Sequence, residues 1–232
     1  MRKTFIYALS CLCVVLMACG TAFAQQALPA GNPVVKGKIQ SGPYHGAMGP
    51  MTASDAPDAA PFYSNLVVNT CTGCNYSTDN GFFILGPNNC FSAGATQWIA
   101  YPFVAARSGA VKRVSVSVTD SGFCVATSLR FTVAIYSDAC TGTPGTQIGT
   151  AVVVNAPAAP CALAAANFGH AGVTLTAGIT YWVVVTTDSS PQQIGTTAIW
   201  WMANTAEAPF NLNDGNGWIF NPDGAPGGFS VQ

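Results

Sequence analysis

From residue 62 onward, apolar and polar positions alternate with period two along most of the chain. The clearest run is residues 111 to 119, where Val114, Val116 and Val118 lie on one face and Arg113, Ser115 and Ser117 on the other. Residues 129 to 136 repeat the pattern, with Leu129, Phe131, Val133 and Ile135 set against Arg130 and Thr132. Successive side chains of a strand point to opposite faces, so alternation of this length predicts half-buried strands. Segments of similar character, rich in β-branched and aromatic residues, are predicted as strands at 63–69, 97–105, 147–155, 172–176, 180–187, 194–202, 217–220 and 228–231. Gly, Pro, Asn and Asp divide them, and no helical period interrupts the series. About ten short strands predict an all-β fold, an antiparallel two-sheet β-sandwich of jelly-roll or Ig-like shape. Such a chain buries roughly 70% of its unfolded surface, enough for one core between two sheets.

The same parity sorts the aromatic residues. Ile179, Tyr181, Val183 and Val185 share one face, which leaves Trp182 with Thr180, Val184 and Thr186 on the other. The run Ala198-Ile199-Trp200-Trp201-Met202 is apolar on both faces. It suits a central, doubly covered strand or one under a loop, with its two tryptophans facing opposite ways.

The first 24 residues have the parts of a secretory leader: Arg2 and Lys3, an apolar stretch over residues 5 to 18, and Ala22-Phe23-Ala24 before Gln25. The apolar stretch is shorter than the ~20 residues a membrane span needs. Leu16-Met17-Ala18-Cys19-Gly20 is a rival reading, a lipobox in which Cys19 would be lipidated. Met17 is unusual there, and the Ala-x-Ala site favours a secreted product. Residues 25 to 61 are rich in Pro, Gly and Ala and read as a flexible linker, followed by the β-sandwich domain over 62 to 232. No second hydrophobic segment follows, and residues 229 to 232 carry no anchor signal. The expected location is extracellular or at the cell surface, with the periplasm open; contact with a membrane is expected only if Cys19 carries a lipid.

Cleavage leaves six of the 9 cysteines: Cys71, Cys74, Cys90, Cys124, Cys140 and Cys161. An even number in an exported chain predicts disulfides. Cys140 with Cys161 is the favoured pair, close in sequence and flanked by turns, with the other four joined among themselves in an open order. Cys71-Thr72-Gly73-Cys74 is also a C-x-x-C. No helix follows it for thioredoxin-like chemistry, and neither a second pair nor a suitable histidine completes a zinc set.

Composition narrows the chemistry. Of 232 residues only 7% are charged, against a usual ~25%. Few groups are left for polar catalysis, and no clustered Lys and Arg offers a footprint for nucleic acid. His170 stands in a turn, no G-x-S-x-G elbow is present, and Glu207 is the sole Glu. Asp79, Asp214 and Asp223 all sit in Asn- or Gly-containing turn contexts. Two carboxylates flanking a glycosidic bond are therefore not evident. Residues 211 to 217, Asn-Leu-Asn-Asp-Gly-Asn-Gly, are rich in oxygen but hold one carboxylate, so a turn is expected in place of a calcium site. No metal or cofactor is expected. Exposed rings remain as the candidate chemistry, because an aromatic face stacks on a sugar while neighbouring Asn and Thr bond its hydroxyls. Trp182, Trp218 and Tyr101 are the candidate ligand-binding residues.

Several motifs recur together in one family: Tyr63-Ser64-Asn65-Leu66, Ile84-Leu85-Gly86-Pro87, the strand from Phe131 to Ser137-Asp138, Pro144-Gly145, the run Leu175-Thr176-Ala177-Gly178-Ile179-Thr180-Tyr181-Trp182-Val183, and Asn216-Gly217-Trp218. In these the chain resembles the choice-of-anchor domains of bacterial exported and surface proteins, closest to the R kind, over about residues 63 to 231. It departs from them in lacking a C-terminal sorting segment and in its six cysteines. The resemblance implies a non-catalytic β-sandwich displayed outside the cell, for adhesion or display. The alternative is a carbohydrate-binding module, with an extracellular hydrolase more distant. Expected partners are extracellular polysaccharide or surface proteins.

Overall fold

The strands run in chain order as β1 (Lys36–Lys38), β2 (Tyr63–Ser64), β3 (Asn80–Leu85), β4 (Trp98–Val104), β5 (Gly109–Val111), β6 (Arg113–Val116), β7 (Val118–Asp120), β8 (Arg130–Asp138), β9 (Pro144–Asn155), β10 (Ala164–Asn167), β11 (Val173–Leu175), β12 (Thr180–Thr187), β13 (Thr197–Trp201), β14 (Phe210–Asn213), β15 (Trp218–Asn221) and β16 (Phe229–Val231). The computed structural model describes residues 60–67, 73–77, 80–86, 89, 96–120, 129–157, 161–187, 197–203, 209–221 and 226–232, and the backbone of 36–38. All belong to Asn32–Gln232, one of the two compact units of the chain. Cys19, Cys71, Cys90, Cys124 and Glu207 lie outside the described residues.

The described chain is all-β, and every strand pairing in it is antiparallel. Where the sequence suggested two sheets of about ten strands in total, the strands form four hydrogen-bonded sheets. The largest has the order β15-β14-β4-β12-β8-β9; two four-stranded sheets run β1-β3-β13-β7 and β10-β6-β16-β2, and β5 pairs with β11. Three residues of the stretch read as linker, Lys36–Lys38, add an edge strand beside β3.

The long run predicted at 111–119 divides into β5, β6 and β7, and Ser117 is the reason the last two carry different partners. The Ser117 N–H donates to Gly228 O at 2.9 Å and its carbonyl accepts from Trp201 N at 2.9 Å. Gly228 N in turn donates to Trp201 O at 2.9 Å. In a strand the N–H and C=O of one residue point the same way. On that side β16 therefore pairs with the first half of the run and β13 with the second. The Ser117 hydroxyl lies 2.7 Å from Trp201 O and 3.0 Å from Gly228 O, so a buried seam is hydrogen-bonded rather than open.

One core joins these sheets. It takes Ile99, Tyr101 and Phe103 of β4, Tyr181, Val183 and Val185 of β12, and Phe131, Val133 and Ile135 of β8 from the six-stranded sheet. Phe82 and Ile84 of β3, Trp200 of β13, Val114 and Val116 of β6 and Phe229 of β16 meet them. Tyr101 stands edge-on to Trp200, with ring centroids 4.8 Å apart at 88°, and Phe82 lies 4.5 Å from Phe210. Contacts of this kind add about 0.5–1.5 kcal/mol each beyond burial.

β13 is covered on both faces, as its pattern predicts. Trp200 points into the main core, and Trp201 joins Tyr76, Phe83, Leu85 and Ile199 in a second cluster on the other face. Residues 73–77 form part of that cover, and here the cysteine expectation is corrected. Cys161 pairs with Cys74, not Cys140, with Cα atoms 4.9 Å apart across 87 residues of sequence. Cys140 is unpaired and exposed. The physical reason is topological. Cys140 ends the β8 hairpin arm in the six-stranded sheet, whereas Cys161 leads into β10 of another sheet, beside the covering segment. That segment has no strand ladder of its own, and the Tyr76 hydroxyl donating to Ala162 O at 2.9 Å ties it at the same place as the disulfide. A disulfide is compatible with an oxidising, extracellular location.

Candidate functional site

The sequence candidates separate sharply in depth. Tyr101 is 0% exposed and lies in the core, as its alternation with Ile99 and Phe103 requires. It cannot serve as a platform for a ligand, and burial pushes its phenol far above the usual range, partly offset by a backbone hydrogen bond at Gly227. Trp182 does lie on the opposite face, yet it is only 2% exposed. Its indole N–H donates to Asp138 Oδ1 at 2.9 Å. Trp218 is half-buried and packs against the cluster of Ala100, Trp182 and Val184 on that same face. The structure thus brings Trp182 and Trp218 together on the outer face of the six-stranded sheet and sends Tyr101 through to the core side.

The outer face is built row by row from strand register. Asn213 of β14 pairs with Trp218 of β15 on one side and Trp98 of β4 on the other. Strands are ~4.8 Å apart, so the two tryptophans flank Asn213 at about 10 Å from each other at the backbone. In the next row of this face Asn211 lies between Phe220 and Ala100. Phe220 is 51% exposed and Val104, further along β4, is 54% exposed. The β14–β15 turn fixes this corner: Asn213 Oδ1 accepts from Gly215 N at 2.8 Å and Asp214 Oδ1 from Asn216 N at 3.0 Å. Side-chain oxygens closing a turn on their own backbone are what Asn and Asp do best there. The oxygen-rich segment 211–217 accordingly builds a strand and a hairpin turn, and no cluster of three metal-ligating residues occurs among the described residues.

A strap crosses the face. Residues 139–143 leave β8, and Gly142 O accepts from Asn211 Nδ2 at 2.9 Å. The strap is the β8–β9 hairpin loop, closed at its base by Ala139 N donating to Thr143 O at 3.0 Å, and its tip folds back to reach β14, three strands from β8 in the sheet. Asp138 anchors its root, with Oδ2 accepting from Cys140 N at 2.9 Å while Oδ1 holds Trp182. Tyr136, beside Trp182, has its phenol pushed above the usual range by partial burial, and its hydroxyl lies 3.3 Å from Gln147 Oε1.

Two polar atoms on this face lack partners. Asn211 is 0% exposed, and its Oδ1 accepts no hydrogen bond from any described residue. The indole N–H of Trp98 donates to none. A buried unsatisfied donor or acceptor costs about 1–3 kcal/mol, so a pair of opposite kind on one face calls for a physical explanation. Sequence reasoning did not select Trp98, Asn211 or Phe220, although alternation in 97–105 already sets Trp98 opposite Ile99, Tyr101 and Phe103.

The remaining candidates do not converge. His170 is exposed, its carbonyl accepts from Lys112 Nζ, and with Asn167 and Gly169 they line an open depression without a carboxylate. No helix among the described residues is long and apolar enough to cross a membrane. No protein-family model matches the chain, and no curated protein matches it.

Proposed function

We propose that the chain is an exported, non-catalytic β-sandwich that works by contact, in adhesion or surface display, through the outer face of its six-stranded sheet. The six-stranded sheet is one layer of that sandwich. The other layer is the pair of four-stranded sheets, continuous through Ser117; a core shared by all three supports this reading. The leader at residues 1 to 24 supports export, and the Cys74–Cys161 bond suits the compartment.

The observation that carries the proposal is the outer face itself: Trp218 and exposed Phe220 wall a strip of asparagines, with no charge between them. Large rings beside adaptable amides are what recognition surfaces use, since rings bring area at little entropy cost. Asp138 and Asp214, the acids nearest this face among the described residues, are engaged in strap and turn bonds, which suits scaffold better than acid–base work.

Cosedimentation with intact cells of a producing bacterium tests the reading. Wild type is expected to pellet with the cells, and a Trp218→Ala, Phe220→Ala double variant to do so at least tenfold less. Equal pelleting of the two overturns the assignment of the face, and recovery of the wild type only from the cytosol overturns export.

A further inference from the structure

We propose that Asn216, in the turn between β14 and β15, is a site of spontaneous backbone rearrangement that converts it to isoaspartate and aspartate and remodels the turn holding Trp218. The chemistry stands independently of the contact reading above.

The reaction needs only an asparagine amide and the backbone nitrogen of the next residue. That nitrogen attacks the side-chain Cγ, the new N–Cγ bond closes a succinimide ring, and Nδ2 leaves as ammonia with the proton of the attacking N–H. Water then opens the ring. Opening at the side-chain carbonyl gives aspartate, whereas opening at the main-chain carbonyl routes the chain through Cγ and gives isoaspartate. Glycine is the best second residue, because it has no Cβ to obstruct closure and its backbone reaches conformations closed to other residues.

Among the described residues Asn80, Asp214 and Asn216 precede a glycine, and the fold separates them. Gly81 is buried inside β3, paired with Gly37 of β1 on one side and Trp201 of β13 on the other. Its nitrogen cannot swing towards Asn80 without breaking a ladder. Gly215 N is held by Asn213 Oδ1 at 2.8 Å, and the carboxylate of Asp214 is a poor electrophile. Asn216 has neither protection. It and Gly217 are exposed, its side chain bonds to no described residue, and Gly217 N donates to none. Gly217 stands at φ 137°, where a Cβ would meet open space, so nothing crowds the approach. The Asn216 N–H donates to Asp214 Oδ1 at 3.0 Å, which fixes its main chain and leaves its amide free to turn.

The product matters because residues 214 to 217 close the pair of Asn213 with Trp218. Isoaspartate adds a carbon to the main chain of that turn and leaves a carboxylate beside it. Turn type and loop length fix the register of a hairpin, so the turn no longer imposes the position in which Trp218 packs against Ala100, Trp182 and Val184.

Ageing of the purified chain at pH 8, followed by peptide mapping with mass spectrometry, tests the proposal. Conversion of Asn216 is expected to outpace that of Asn80 by on the order of tenfold or more, because Gly81 must first leave its ladder, and unfolding in urea to bring the two rates together. Asn216→Gln, whose amide would have to close a larger ring, should show no conversion at that position. An intact Asn216 in the folded chain when the unfolded chain converts, equal rates at the two sites in the folded chain, or aspartate without isoaspartate overturns the proposal. Magnetic resonance of the nitrogen-labelled chain reads the consequence. The Trp218 indole N–H signal, assigned with Trp218→Phe, is expected to shift as the wild type converts and to stay in place in Asn216→Gln aged alike. An unmoved signal in a fully converted chain overturns the remodelling of the turn.

Discussion

Tyr181 and Trp182 are adjacent and do opposite work. The Tyr181 hydroxyl accepts from Thr176 N at 3.0 Å, closing the turn before its own strand, while Trp182 holds Asp138 across the sheet. The distinctive L-x-A-G-x-x-Y-W run is thus an architectural device, and Gly178 at φ 76° supplies the left-handed residue its turn requires. Asn65, in another of the motifs, is equally structural: its amide donates to Gly227 O at 2.9 Å and accepts from Phe229 N at 2.7 Å. Buried tyrosines carry a pH consequence. Tyr76 and Tyr101 are both 0% exposed, and burial raises both phenols above the ordinary value of 10.0. Above that pH the unfolded chain loses protons that the folded chain keeps, so their stabilising contribution is whole below pH 10 and declines above it. The decline is expected to approach about 1.4 kcal/mol per pH unit for each tyrosine. Urea unfolding between pH 8 and pH 11 measures it, and Tyr101→Phe should flatten the slope; an unchanged slope refutes the contribution of Tyr101.

At the scale of elements, the covering segment 73–77 shows where covalent chemistry takes over from strand pairing. The Cys74–Cys161 bond closes a loop of 87 residues, for which chain entropy predicts about 4–5 kcal/mol. A Cys74→Ser, Cys161→Ser double variant is expected to lose stability on that order in denaturant unfolding. Cys140→Ser, at an exposed position, should stay within ~0.5 kcal/mol of wild type. Comparable losses in the two variants would restore the Cys140–Cys161 pairing, because each removes one partner of that bond. Strand existence and facing were legible in the sequence because period-two alternation is a local property: the inward set of β12 and the opposed Trp200 and Trp201 follow from it directly. The disulfide was not, because its partners meet only after the chain has passed through several sheets. The site was half legible. Parity placed Trp182 outside and should have placed Tyr101 inside, but the strap comes from the loop after the neighbouring strand β8 and reaches β14 beyond it, and no local pattern encodes where such a loop lands.

At the scale of the whole molecule, scarcity of charge becomes a prediction about binding. The chain carries 8 basic and 9 acidic residues, and cleavage of the proposed leader would take Arg2 and Lys3 away. The rows around Asn211 and Asn213 contain rings, amides and alanine, and Asp138 at the strap root is engaged by two donors. A contact made by such a surface draws on area and directed hydrogen bonds. Neither is screened by salt, whereas attraction between exposed charges largely disappears as the Debye length shrinks from ~10 Å at 0.1 M to ~3 Å at 1 M. Attachment to cells is therefore expected to change less than ~2-fold between 0.1 M and 1 M NaCl, while remaining sensitive to the loss of Trp218 and Phe220. A tenfold loss at high salt would mean that scattered charges such as Lys112 and Arg130 carry the contact, and the outer face would cease to be its explanation.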